Sequence, residues 1–376
     1  MKKLYQVTVI VLFLAMLFLT PICLLLKEDA DFSEKENRYL SGKPKISEQA
    51  IRSGKFMEEV EKYIDDQFPR RDVWISLKSD FLRLIGSKEI NGVYLAEDGN
   101  LIEKWLPDEF HKSQLTENIH ALNVYAKKHT EQKVSLMLVP TSAMIIKERL
   151  PKYAPMFDQR IAYDLVENEL NGISYIDLKS LFESRSMDDL YYKTDHHWTT
   201  YGAFLAYTAW CKENGFSAKV IEFETDTVTK EFQGSLHSKV LGNHCAYDSI
   251  ELYKRKNETP YRVSYNLGKD SSDTVYDMGQ LEHKDKYQVF FGGNHPEITI
   301  QTAKKNGKHL LLIKDSFANA FLPFLVDHYE TIHVIDLRYY NGNLDSYIAD
   351  NKINECIFLY NIKNFCEDKN ISSIAE

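Results

Sequence analysis

Five short apolar runs, all downstream of residue 133, constrain the fold more than any other feature. Val134 to Val139, Ile173 to Leu178, Leu310 to Ile313, Ile332 to Leu337 and Cys356 to Tyr360 are almost continuously apolar. That is the pattern of parallel strands buried on both faces, rather than of strands with one wet side. Helical stretches separate most of them: Leu115 to His129 before the first, Thr200 to Glu213 after the second, Asn319 to Tyr329 after the third. The alternation predicts an α/β domain whose parallel sheet is covered by helices on both faces. Between Phe216 and about Lys308 the rhythm changes to Thr, Tyr and Val alternating with polar residues, as in Tyr261 to Tyr265 and Lys286 to Phe290. This stretch, about 216–308, predicts a β-rich insertion or an antiparallel layer.

Upstream, Val7 to Leu26 is a run of 20 residues broken in polarity only by Thr8 and Thr20. At about 1.5 Å per residue a helix of that length matches the hydrocarbon core of a bilayer. Lys2 and Lys3 precede it and Lys27, Glu28, Asp29 and Asp31 follow, so residues 1–6 are expected as a cytoplasmic tail and the remainder outside the membrane. Thr20-Pro21-Ile22-Cys23 lacks the small residues of a cleavage site. Residues 7–26 are therefore expected to be an uncleaved transmembrane anchor. Residues 27–110 form a membrane-proximal region of two amphipathic helices, broken at Phe68-Pro69, and a hairpin around Asp98-Gly99. The α/β domain then occupies residues 111–376.

A net charge of −9, with no Lys/Arg cluster beyond short pairs, argues against a nucleic-acid partner. The five cysteines are too few and too irregularly spaced for a disulfide framework or a zinc ribbon, although one disulfide remains open for an exported protein.

In sheets of this kind ligands bind beyond the carboxyl ends of the strands. The third strand runs almost directly into Lys314-Asp315-Ser316-Phe317. A serine at a strand-to-helix junction can be a nucleophile within reach of amides that donate to an oxyanion; it is also the standard N-cap. A base elsewhere would decide. Thr194-Asp195-His196-His197-Trp198 supplies one, because a serine needs an imidazole to take its proton and the imidazole needs a carboxylate on its other nitrogen. Two histidines beside an aspartate also resemble metal ligands, but His-x₃-His and Cys-x₂-Cys spacings are absent. No metal or cofactor is expected. His196 reads as structural and His197 as the base.

The strings Thr194 to Thr199 and Lys314 to Phe317, with Glu36-Asn37-Arg38, Phe68-Pro69-Arg70, Gly293-Asn294-His295 and Asp336-Leu337-Arg338-Tyr339, resemble the DHHW family of membrane-anchored bacterial proteins. That family is similar to the SGNH-type alginate O-acetyltransferases. The resemblance runs from Phe32 onward and implies an SGNH-hydrolase-like three-layer α/β sandwich in permuted order, with Asp195 and His197 preceding Ser316. It implies Ser316 as nucleophile, His197 as base and Asp195 as orienter. Lys314 stands where the Gly-Asp-Ser box has its glycine, which leaves the oxyanion hole open. Gly293 and Asn294 are oxyanion or substrate-binding candidates by loose analogy, unless Gly292-Gly293 is a simple turn. Arg338 and Tyr339 are candidates for binding an anionic group, unless Arg338 is spent on Asp336.

The resulting expectation is a single-pass, extracytoplasmic serine O-acetyltransferase acting on a cell-surface or secreted polysaccharide. Its acetyl donor would be supplied by a multipass membrane acyltransferase, as the resemblance implies. A carbohydrate esterase with the same triad stays open, because water and a sugar hydroxyl differ only as acceptors. So does a non-catalytic glycan-binding or assembly subunit offering its 23 Tyr and 4 Trp as stacking faces.

Overall fold

The computed structural model describes residues 2–216, 222–242, 245–256 and 259–375. Residues 217–221, 243–244 and 257–258 of the expected β-rich insertion, with Met1 of the expected tail and Glu376, lie outside the described residues. The chain forms two compact units, residues 1–91 with 237–245 and residues 92–236 with 246–376.

The smaller unit begins with helix α1 (Lys2–Leu26). Its segment Leu4–Leu24 is long and apolar enough to cross a membrane, a property that a signal sequence near an N-terminus shares. Strands β1 (Phe32–Ser33) and β2 (Arg38–Tyr39) pair antiparallel. Helix α2 (Glu48–Ser53) is capped by Ser47, whose side chain accepts from the Ala50 amide, and stops at Gly54, where φ is +81°. Helices α3 (Lys55–Gln67) and α4 (Arg71–Leu84) break at Phe68-Pro69 as expected. A residue before proline is pushed out of helical geometry, and Phe68 is extended at φ −54°, ψ 133°. A polar cluster ties the β1–β2 turn to these helices. Arg38 donates to both carboxylate oxygens of Asp66 at 2.5 and 3.1 Å, Asp66 also accepts the Ser41 amide at 2.8 Å, and Arg71 pairs with Glu36. The Arg38 hydrogen bond holds the Asp66 carboxyl down to about 2, against the effect of burial. Strand β3 (Glu89–Ile90) ends this part of the unit.

In the larger unit the expected hairpin is β4 (Val93–Leu95) with β5 (Leu101–Glu103), turned at Asp98 and Gly99, both at positive φ. Then come α5 (Lys112–Lys128), β6 (Lys133–Val139), α6 (Ser142–Ile145), α7 (Arg160–Glu169), β7 (Ser174–Ile176), α8 (Leu178–Glu183), α9 (Thr200–Glu213), β8 (Phe223–Phe232) and the start of α10 (Ser235–Val240), whose residues from His237 on belong to the smaller unit. After residues 237–245 follow β9 (Asp248–Arg255), β10 (Tyr261–Tyr265), β11 (Asp270–Ser272), β12 (Glu297–Thr302), β13 (His309–Lys314), α11 (Ala318–Phe321), β14 (Thr331–Ile335), α12 (Leu344–Asp350), β15 (Glu355–Asn361) and α13 (Ile362–Glu367).

Eight strands form one sheet in the order β11-β10-β12-β14-β13-β15-β6-β7. The five apolar runs are its five parallel strands, β6, β7, β13, β14 and β15. Alternate residues of each strand feed opposite cores. Leu310, Leu312, Ile357 and Leu359 join one core with Trp198, Tyr207 and Trp210; Leu311, Ile313, Cys356 and Phe358 join the other with Leu115, Tyr125 and Tyr163. A strand with apolar residues on both faces has no wet side, which explains the unbroken runs.

The insertion divides in two. β8 and β9 make a separate antiparallel ribbon with register shifts, whereas β10, β11 and β12 extend the main sheet antiparallel beyond β14. Two expectations are corrected. Lys286 to Val289 is a 3₁₀ turn, not a strand, and the helix expected from Asn319 to Tyr329 is four residues of α11 followed by a 3₁₀ stretch at Leu322–Leu325. Pro323 lacks the N–H that would continue the helical ladder. No disulfide joins the cysteines among the described residues.

Candidate active site

The loop from α8 to α9 carries the candidate base. Thr199 caps α9 by accepting the Gly202 amide, and Asp248 at the start of β9 accepts the Lys193 and Thr194 amides, both at 2.8 Å, and the Thr194 hydroxyl at 2.6 Å. Pinned at both ends, the loop turns Asp195 and His197 inward, where each is almost wholly buried. His197 Nδ1 lies 2.6 Å from Asp195 Oδ1, which also accepts the His197 amide at 2.9 Å. Asp195 Oδ2 accepts the Ser235 amide at 2.7 Å. The neighbouring Gly234 has no room for a side chain: a Cβ there would sit 2.2 Å from Asp195 Oδ2.

The turn after β13 carries the candidate nucleophile. Ser316 Oγ lies 2.8 Å from His197 Nε2, although 119 residues separate the two in sequence. Asp315 is not part of the relay. Its buried carboxylate accepts from the Phe317 amide, the Asn361 amide and the Asn364 side chain, which fixes the turn while burial pushes its carboxyl up. Trp198 Nε1 donates to Phe317 O at 2.9 Å and locks the two loops together. The N-cap alternative for Ser316 is not realised, since α11 starts at Ala318 without a side-chain cap.

Tyr287, which the sequence did not single out, completes the centre. Its ring stacks on the His197 imidazole at 3.8 Å and 10°, and its hydroxyl donates to Ser316 O at 3.2 Å. The sole sequence signal was a tyrosine in an alternating run misread as a strand; a stacked partner 90 residues from the histidine leaves no local pattern. Gly234 was missed for the same reason.

Burial lowers the His197 pKa to about 4, assisted by the neighbouring His196 and opposed by Asp195. Burial would raise Asp195, but the two histidines and the Ser235 amide outweigh it and hold the carboxyl well below the usual range. At neutral pH the pair is therefore a carboxylate beside a neutral imidazole, the state required of a general base. His196 is half exposed and bonds to Ser235 Oγ at 2.6 Å through Nδ1. Donor atoms of Asp195, His196 and His197 lie within 4.8 Å of one another, close enough for the metal reading. Both ring nitrogens of His197 are nevertheless engaged by Asp195 and Ser316, and a metal would have to displace one of them.

Of the other candidates, Gly293 sits at φ +104° in a turn where Gly292 is also at positive φ, and its amide donates to Phe290 O at 3.2 Å. That is the turn alternative. Asn294 is exposed and bonds to Lys314 and Asn319. Arg338 is spent on Asp336 through bonds of 2.8 and 2.6 Å, and Tyr339 is exposed against the Arg338 guanidinium. A small pocket beside the triad is lined by His196 and Phe317 together with Thr141, Ser142 and Asn364.

Comparison with known proteins agrees with this architecture. The family model described as DHHW protein matches residues 109–335. A DHHW family protein from Eubacterium siraeum is similar in structure with a TM-score of 0.61 at 23% identity, over 76% of this chain and 95% of that one. Bacillus cereus PatB1, in a structure with a sulfonyl adduct, gives 0.62 at 20% identity, over 74% and 98% of the two chains. The O-acetyltransferase domain of Pseudomonas putida AlgJ gives 0.45 at 15% identity, over 74% and 93%. The first two likenesses, at these identities, establish a shared mixed α/β fold. No curated protein matches the sequence.

Proposed function

The chain belongs to the DHHW protein family, and on that premise we propose that it is a membrane-anchored, extracytoplasmic serine O-acyltransferase that acetylates hydroxyls of a cell-surface or secreted polysaccharide. The observation that carries this reading is the continuous relay Ser316 Oγ, His197 Nε2, His197 Nδ1, Asp195 Oδ1, with contacts of 2.8 and 2.6 Å. In the first half-reaction His197 takes the Ser316 proton as Oγ attacks the acyl carbonyl, and returns it to the leaving group. In the second the same imidazole takes the proton of a sugar hydroxyl as its oxygen attacks the acyl carbon, and returns it to Ser316 Oγ as the acyl–serine bond breaks. Neither half-reaction needs a cofactor. On this reading the larger unit is an SGNH-type domain in permuted order, α1 is its anchor, and a multipass membrane acyltransferase delivers the acetyl group.

PatB1 carries a sulfonyl adduct in its structure, which suggests the reagent class for a test. A sulfonyl fluoride should modify Ser316 in the wild-type chain, as read by peptide mass spectrometry, and Ser316→Ala should lose both the label and acetyl-ester turnover. Turnover that survives Ser316→Ala in a folded protein would remove the basis for this assignment.

A further inference from the structure

Helix α4 turns its apolar side outward. Val73, Trp74, Leu77, Phe81, Leu84 and Ile85 are each between 53 and 83% exposed. At about 100° per residue they fall within an arc of about 120°, so they form one stripe along a helix about 21 Å long. The smaller unit packs against the other side. There Ser79 is buried with its hydroxyl donating to Val240 O, and Arg83 Nη2 lies 3.0 Å from Cys245 Sγ. Ile75 and Leu82, also away from the stripe, are half-buried. A helix of a water-soluble surface hides its apolar stripe and shows its polar one. A contiguous apolar surface of six large side chains marks a face that meets something apolar.

The hydrogen bonds of the smaller unit indicate what that is. Helix α1 ends at Leu26. Just beyond it, Tyr63 of α3 donates its hydroxyl to Asp29 Oδ1 at 2.9 Å. Gln67, the last residue of α3 and itself buried, accepts the Ala30 amide through Oε1 at 3.0 Å and donates from Nε2 to Ala30 O at 2.9 Å. Arg71, the first residue of α4, donates from Nε to Asp65 O at 2.9 Å. Four residues of chain span at most about 14 Å, so Ala30 lies within that distance of the end of α1, and the junction of α3 with α4 is bonded to it. The headgroup layer outside the hydrocarbon core is about 5–7 Å deep on each side. The apolar medium nearest to α4 is thus the bilayer that α1 enters. Lys78 and Asp80 border the stripe on its two sides, one charge of each sign, so the attraction is apolar rather than electrostatic. Trp74 suits the boundary, since indole favours the region between headgroups and acyl chains.

We propose that α4 is an interfacial helix: it lies in the headgroup layer of the membrane that α1 crosses, with Trp74, Leu77 and Phe81 inserted toward the acyl chains. The inference rests on the reading of α1 as an anchor. One helix crosses the bilayer and the other lies in its surface, so the smaller unit is held at two places. A single tether would leave that unit free to swing; a second contact fixes its orientation on the lipid.

Fluorescence tests this, because Trp74 is the one tryptophan of the four outside the larger unit, and Trp105, Trp198 and Trp210 are at most 1% exposed. The full chain is reconstituted in phosphatidylcholine vesicles whose acyl chains carry bromine, a contact quencher, either near the headgroup or near the chain ends. Bromine near the headgroup should lower the wild-type emission, and bromine near the chain ends should lower it less. Trp74→Phe should show neither loss. Leu77→Asp combined with Phe81→Asp, both at exposed positions, should keep Trp74 but remove its quenching by bromine and open it to acrylamide in the water. A vesicle-bound wild-type chain whose Trp74 is open to acrylamide and untouched by bromine would overturn the proposal. So would shielding from both quenchers, which would assign the stripe to a protein surface such as a second copy. Failure of the full chain to float with the vesicles would sink the anchor reading and this inference with it, whereas flotation without a bromine effect would sink this inference alone.

Discussion

On the acyl-serine reading, the burial of His197 fixes the pH range of the chemistry. Its folded pKa is lowered from 6.5 to about 4, and the base must be neutral to accept the Ser316 proton. Activity should therefore persist as pH falls through 6.5, and kcat/KM should drop only near pH 4, in a profile taken with a non-titrating ester. The same shift has a stability consequence. The unfolded chain binds this proton first, so folding should weaken as pH falls from 6.5 towards 4, as measured by denaturant midpoints. Tyr287 permits a second residue-level comparison. Tyr287→Phe keeps the ring on His197 and loses one hydrogen bond to Ser316 O, for which about 1 kcal/mol is expected. Tyr287→Ala empties a buried site and should cost about 3–5 kcal/mol of stability, with a much larger loss of Ser316 labelling. Equal labelling in the two variants would mean that the stack does not orient the imidazole.

Elements show where local sequence was enough. The break at Phe68-Pro69 and the turn at Asp98-Gly99 are decisions of a few adjacent residues, and each was legible as such. The 3₁₀ turn at Tyr287 was not, because alternation of apolar and polar residues describes a half-buried surface without saying what covers it. In the smaller unit the link between the β1–β2 turn and α3 hangs on Asp66. Its folded pKa lies near 2, below the unfolded 3.8, so its contribution is complete above the unfolded value and is lost as pH falls through the folded one. Exchange of the Ser41 amide, which Asp66 accepts, should accelerate between about pH 4 and about pH 2 beyond the intrinsic trend. The acceleration should be absent in Asp66→Asn, whose carboxamide cannot titrate; exchange that responds alike in both proteins would detach the turn from this ion pair.

For the whole molecule, the long apolar α1 followed by an excess of acids leads to a direct expectation. The full-length chain should fractionate with membranes, resist carbonate extraction and expose residues beyond Lys27 to protease only from the non-cytoplasmic side. A soluble product beginning near Lys27 would instead mark α1 as a signal sequence. What the sequence determined by itself was whatever periodicity and short motifs encode: five buried parallel strands, the two helices around Phe68-Pro69, and the individual triad candidates. A run of four to six mostly apolar residues between helical stretches fits a strand covered on both faces, and the need of a serine for an imidazole and a carboxylate is chemistry independent of fold. Tertiary structure alone decided that Ser316 and His197 meet across 119 residues, that Gly234 makes room for Asp195, that Tyr287 stacks on the base, and that Lys314 is buried against Asn294 rather than exposed. Those facts depend on side chains brought together from β-strands, turns and the insertion, and contacts between positions far apart in sequence leave no periodic trace in a single chain.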